Sequence, residues 1–125
     1  MSARTTLTRV LLGALLLLAP LLVALGTATP AQAGYGPMRW DCLAHYESTH
    51  RWHINNGNGH YGGLQFSLST WKAYGGPRGT GNFWPHKATR REQIKIAKRV
   101  AFYGYGQHRP QGGRHAWPHT WYRCF

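Results

Sequence analysis

The stretch RWHINNGNGHYGGLQF, residues 51–66, carries four glycines and three asparagines. Asn56-Gly57 and Asn58-Gly59 are strong turn dipeptides, because both residue types accept the left-handed backbone that tight turns need. They lie between two short segments, Trp52 to Ile54 and Tyr61 to Phe66. That arrangement predicts a small hairpin or an ordered loop. Gly62-Gly63 adds a place where backbone can closely approach a ligand or another segment.

Helical patterns flank this stretch on both sides. Trp40 to Ser48 reads as a first helix, with Asp41 at its start as an N-terminal or capping residue. Leu43 and Tyr46 recur at helical spacing, and Cys42 and Tyr46, four apart, share a face. Downstream, Ser67 can cap a short helix running to Tyr74, which Gly75-Gly76 would end. PRGTGNFWPHK, residues 77–87, reads as a loop. TRREQIKIAKRVAFYG, residues 89–104, is the longest helix, with Thr89 and Glu92 in capping-box spacing. Ile94, Ala97 and Ala101 form its apolar stripe, with Ile96, Val100 and Tyr103 beside it, and Gly104 is a natural stop. The tail, residues 105–125, reads as loop, with Trp117, Trp121 and Tyr122 covering the core near Cys124. Helices around one small hairpin make the class α+β, mostly helical.

The N-terminal segment has a different character. Arg4 and Arg9 precede an apolar run from Val10 to Leu25 that contains Gly13 and Pro20, followed by Ala31-Gln32-Ala33. A basic start, a short apolar core and a small-x-small cleavage pattern describe a secretory signal peptide over residues 1–33. A membrane anchor needs about 20 apolar residues, more than this run supplies. Residues 34–38 read as a short linker and 39–125 as one small domain. Cys42 and Cys124 both fall in the exported part, where such a pair is expected to form a disulfide. Thirteen Lys and Arg face three acids after the leader, so the exported protein is strongly cationic. It is expected on the polyanions of a bacterial envelope rather than on nucleic acid, which an exported protein rarely meets.

The three carboxylates are Asp41, Glu47 and Glu92. Glu92 has the capping box, and Asp41 suits the start of a helix. Glu47 stands at the C-terminal end of the first helix, where a negative charge opposes the dipole. A local mismatch of this kind is a weak pointer to function, and a solvated helix-end glutamate is the plain alternative. His45, His50, His53 and His60 surround Glu47, but the second half of the zinc-deaminase pattern and the H-E-x-x-H pattern are both missing. No metal and no cofactor is therefore expected. Cys–His nucleophilic catalysis fails if both cysteines are in a disulfide.

WDCLAHYESTHRWHINNGNGHYGGLQFSLSTW, residues 40–71, with ATRREQIKIA and HAWPHTWYRC further on, resembles the catalytic domain of resuscitation-promoting factors, the transglycosylase-like secreted proteins of actinobacteria. The resemblance covers nearly all of residues 39–124. It implies a lysozyme-like fold and cleavage of the glycan strands of peptidoglycan. It places the catalytic role on Glu47, the glutamate of E-S, and puts Thr70 in the sugar cleft. Tyr61, Gln65 and Trp71 are cleft candidates for stacking and hydrogen bonding, each equally readable as core packing. A lytic transglycosylase needs only one carboxylate, which must start protonated, so burial near apolar groups such as Tyr61 or Trp71 is expected. Expected partners are peptidoglycan strands and anionic wall polymers, with a partner peptidoglycan hydrolase left open. A monomer and a role in regrowth of dormant cells are expected.

Several positions depart from the family pattern. The family cysteine before the glutamate is Tyr46 here, with Cys42 one helical turn earlier. The second family cysteine falls at Thr120, with Cys124 four residues later. The expectation is one clamp, Cys42 to Cys124, moved along the first helix. Gly-Gly-Asn after E-S has become Thr49-His50-Arg51, and the threonine of N-T-G-N-G is Asn56. The family cleft glutamine could correspond to Tyr103, Gln107 or Gln111. A rival reading is a non-catalytic, cationic wall-binding or signalling module on the same scaffold.

Overall fold

The computed structural model describes residues 36–125, so the expected signal peptide lies outside the described residues. Helix α1 is Pro37–Ser48. It begins earlier than expected, and Pro37 and Met38 form its first turn instead of ending a linker. Proline suits that position because its missing N–H would have no helical partner there. Asp41 therefore caps nothing. It sits in the second turn, and its carboxylate takes two hydrogen bonds from the Arg90 guanidinium, the Nε one at 2.7 Å. That bond lifts the Arg90 pKa further above its already high ordinary value.

Strands β1 (His60–Tyr61) and β2 (Phe66–Ser67) pair antiparallel, His60 opposite Ser67 and Tyr61 opposite Phe66. The hairpin turns at Gly62–Gln65, and the Asn-Gly dipeptides lie before it. There the asparagines cap their own loop: the N–H groups of Gly57, Asn58 and His60 donate to the side chains of Asn55, Asn56 and Asn58. Side chains that bond the backbone two residues on make such a loop independent of strand pairing. Gly62-Gly63 is indeed a place of close approach. A Cβ on Gly62 would lie 2.4 Å from Gln93 Oε1, and one on Gly63 would lie 2.5 Å from Trp52.

Helix α2 is Leu68–Ala73, capped by Ser67, whose hydroxyl accepts from Thr70 N–H at 3.2 Å. The expected loop contains a short helix α3, Gly76–Thr80, and a 3-10 turn, Pro85–Lys87. Helix α4, Arg90–Lys98, opens with the full Thr89–Glu92 capping box. It continues as a π-helical turn, Arg99–Tyr103, closed at Gly104. Ile96, Ala97 and Val100 are fully buried along it, whereas Tyr103 turns out to solvent. The tail is less of a loop than expected: it holds helical turns α5, Gly113–Ala116, and α6, Trp121–Cys124.

Trp40 of α1 is fully buried at the centre of the core. Its ring meets Phe102, Trp117, Trp121 and Phe125 edge-on, with centroids 5.0 to 6.2 Å apart. Such aromatic pairs add to the stabilisation from area burial alone. Trp117 and Trp121 bury as expected, but Tyr122 stays exposed. Cys42 and Cys124 form the expected disulfide, with Cα atoms 5.7 Å apart and a separation of 82 positions in sequence. This is a small, mostly helical, lysozyme-like α+β domain. Among the described residues, no helix is long and apolar enough to cross a membrane.

Candidate active site

A cleft of about 330 Å³ lies between the end of α1, the hairpin and the tail. Glu47 is in its wall, with His60, Gln65, Ser67 and Thr70 from the hairpin side. Gln111, Pro118 and His119 come from the tail, and Phe66, Val100 and Trp117 add apolar surface. The arrangement has physical causes. Buried Ser48, next to Glu47, donates to Gly63 O at 2.9 Å and accepts from Arg51 N–H, so the helix end is tied to the hairpin. Trp117 Nε1 donates to Leu64 O at 2.8 Å and joins the tail to the same hairpin. Gln93, also fully buried, accepts from Gly63 N–H and donates to Trp52 O and Ala88 O.

Glu47 is half-buried, and its Oε1 accepts a hydrogen bond from the Thr120 hydroxyl. Asp41 faces Arg90 and Glu92 is held in its capping box, so neither lines the cleft. Thr70 does line it, in the first turn of α2, where its hydroxyl accepts from Ser67 Oγ at 2.9 Å. Gln65 lines it too, with its amide bonded to Gly62 O and Asn58 Nδ2. Trp71 does not reach the cleft. It is fully buried, packs on Phe66, and donates through Nε1 to Asn82 O. Tyr61 lies outside as well, against Trp84 and His86. The apolar groups near Glu47 are therefore Phe66, Val100 and Trp117, not Tyr61 or Trp71. Burial pushes His86 below the usual imidazole range, and Lys87 and His53 act in the same direction.

A family model described as a transglycosylase-like domain matches residues 36–120. The chain belongs to the transglycosylase-like domain family. The match agrees with the resemblance to resuscitation-promoting factors. This transglycosylase-like domain is 49% identical over 75 residues to resuscitation-promoting factor Rpf of Micrococcus luteus, a match covering 60% of the chain and 31% of that protein. It is 43% identical over 91 residues to resuscitation-promoting factor RpfE of Mycobacterium tuberculosis, covering 73% and 45%. It is 44% identical over 96 residues to resuscitation-promoting factor RpfC of the same species, covering 77% and 58%. The chain thus spans less than two thirds of each of these relatives.

The departures of this transglycosylase-like domain from the family pattern take physical form. Of the three candidates for the family glutamine, only Gln111 lines the cleft; Tyr103 is exposed elsewhere, and Gln107 sits by Tyr105 and His108. Gln111 is held there because its N–H donates to Val100 O at 2.8 Å, a carbonyl in the π-helical turn. Periodicity gives no sign of that turn, so the sequence leaves the choice open. Nothing in the sequence singles out His119 for the site, and His60 is weighed there only as a metal ligand. For the two histidines, the only signal was adjacency to motif residues. The histidines around Glu47 go separate ways. His45 packs on Tyr46 and His50, His53 Nδ1 donates to His86 O, and His60 faces the cleft. Among the described residues, no three His, Cys, Asp or Glu side chains converge as a metal site would require.

Proposed function

We infer that this domain is a secreted muralytic enzyme that cleaves the MurNAc–GlcNAc strand of peptidoglycan, as a lytic transglycosylase or a hydrolase. The observation that carries the reading is Glu47: among the described residues it is the one acidic side chain in the cleft wall. Glycosidases of the ordinary kind place two carboxyl groups across the scissile bond. One suffices for a transglycosylase. Glu47 protonates the bridging oxygen as general acid, then takes the proton of the muramic acid C6 hydroxyl as that oxygen attacks C1. The product is a 1,6-anhydro sugar, and the substrate's N-acetyl group helps to stabilise the oxocarbenium-like centre. Thr70, Gln65 and Gln111 offer hydrogen bonds to the sugars, and Trp117 and Phe66 offer apolar contact. The relatives' names support a role in resuscitating dormant cells. Exposed Arg91 and Lys95 meet no carboxylate, since Asp41 and Glu92 are engaged elsewhere. That unneutralised charge supports accumulation on anionic wall polymers.

The test is digestion of purified peptidoglycan, with soluble products weighed by mass spectrometry. Glu47→Gln should lower the release rate by about 10²–10⁴-fold, the usual range for a lost general acid. Products one water lighter than hydrolysis products identify transglycosylation. Equal release by wild type and Glu47→Gln refutes the assignment. Wall binding without any release favours the non-catalytic module.

A further inference from the structure

The resemblance puts the family's clamp cysteines at positions 46 and 120, which are Tyr46 and Thr120 here. Here the clamp is Cys42–Cys124, and the vacated positions have new contacts. Arg123 lies over the Tyr46 ring at 4.9 Å, and the Thr120 hydroxyl donates to Glu47 Oε1 at 2.5 Å. A half-cystine at 120 could make no such donation. The donor is well held. Trp121 beside it is buried in the core, Thr120 N–H donates to Trp117 O, and Arg123 N–H donates to Thr120 O.

We propose that Thr120 is a positioning residue for Glu47. The terminal carboxyl torsion of a glutamate is broad and nearly two-fold, so its two oxygens exchange freely unless one is held. A hydroxyl donating to Oε1 keeps that oxygen as the acceptor and leaves Oε2 to carry the transferable proton. The carboxyl then meets the glycosidic oxygen in one orientation rather than two. The proposal rests on Glu47 being the general acid.

The test compares Thr120→Val, which keeps the shape and removes the donor, with Thr120→Ser, which keeps the donor. Thr120→Val should lower the maximal rate of muropeptide release by about ten-fold, the scale of one hydrogen bond to a charged group. Half-saturating peptidoglycan should stay within about two-fold, because the bond acts on the acid and not on substrate binding. Thr120→Ser should restore the rate. Carbon-13 labelling adds a readout that does not depend on activity. The chain has two glutamates, and the Glu47 carboxyl resonance should move in Thr120→Val and return in Thr120→Ser. Wild-type rates in Thr120→Val, equal impairment in Thr120→Ser, or an unmoved Glu47 resonance would overturn the proposal. If Glu47→Gln is inactive while Thr120→Val is not impaired, only the role of Thr120 falls. If Glu47→Gln keeps full release, the acid assignment falls first and takes the proposal with it, whatever the resonance shows.

Discussion

Gln93 is a buried polar side chain at the start of an apolar stripe, and its amide joins three segments that would otherwise leave polar groups buried. It satisfies Gly63 N–H, Trp52 O and Ala88 O together. Gln93→Met keeps the length of the side chain and removes all three bonds. A destabilisation of about 2–6 kcal/mol is expected, because Gly63 N–H and Ala88 O are left buried and unpaired at roughly 1–3 kcal/mol each. Urea unfolding checks this, and an unchanged midpoint would show that the bonds matter little. At this scale elimination left Glu47 as the carboxylate without a structural post, and it stands in the cleft wall, although one step of that elimination rested on the wrong cause. Asp41 is engaged, but by Arg90 across the fold rather than by its own helix. Pairings 49 residues apart leave no trace in local spacing. Trp71 and Tyr61 show the same limit: an aromatic in a motif can belong to core or cleft, and only packing separates the two.

At the scale of elements, the end of α1 is the most telling. Thr49 and His50 both adopt the left-handed conformation, with φ of 53° and 62°. They occupy the positions where the family pattern has Gly-Gly. A left-handed residue with a Cβ costs roughly 1–2 kcal/mol, whereas glycine adopts that backbone freely but loses more entropy on folding. Replacing both by glycine should therefore stabilise the domain by about 1 kcal/mol and raise Tm by roughly 4–8 °C. Calorimetry checks this, and an unchanged or lower Tm would count against strain at the turn. Capping chemistry was readable: the Thr89–Glu92 box and the Ser67 cap form as their spacing predicts. A hairpin forms, but around Gly62–Gln65 and not between Trp52–Ile54 and Tyr61–Phe66, because asparagine side chains close the preceding loop on themselves. The π-helical turn escaped the sequence because a single widened turn leaves the apolar stripe almost unchanged until Tyr103.

For the molecule as a whole, the disulfide spans 82 residues, and the tail runs back along α1 through Cys124, Arg123 and Thr120. Closing so long a loop contributes about 4–5 kcal/mol in the chain-entropy account. Reduction with a thiol should lower Tm strongly, and it should also slow muropeptide release below the new Tm as the tail wall of the cleft loosens. Retained stability and release after full reduction would show that packing of Trp40 against Trp121 and Phe125 holds the tail unaided. The α+β class and the clamp were legible because cysteine pairing and strong periodicity survive in one dimension. The cleft was only partly legible, because its two walls come from distant parts of the chain. That separation has a consequence for how the protein is made. Glu47 precedes Thr120 by 73 residues, and Gln111, Trp117 and His119 also follow late. A chain that emerges amino end first therefore shows its acid long before the opposite wall arrives. Until residues 111–120 dock, Glu47 has neither the opposite wall of the cleft nor the Thr120 hydroxyl beside it.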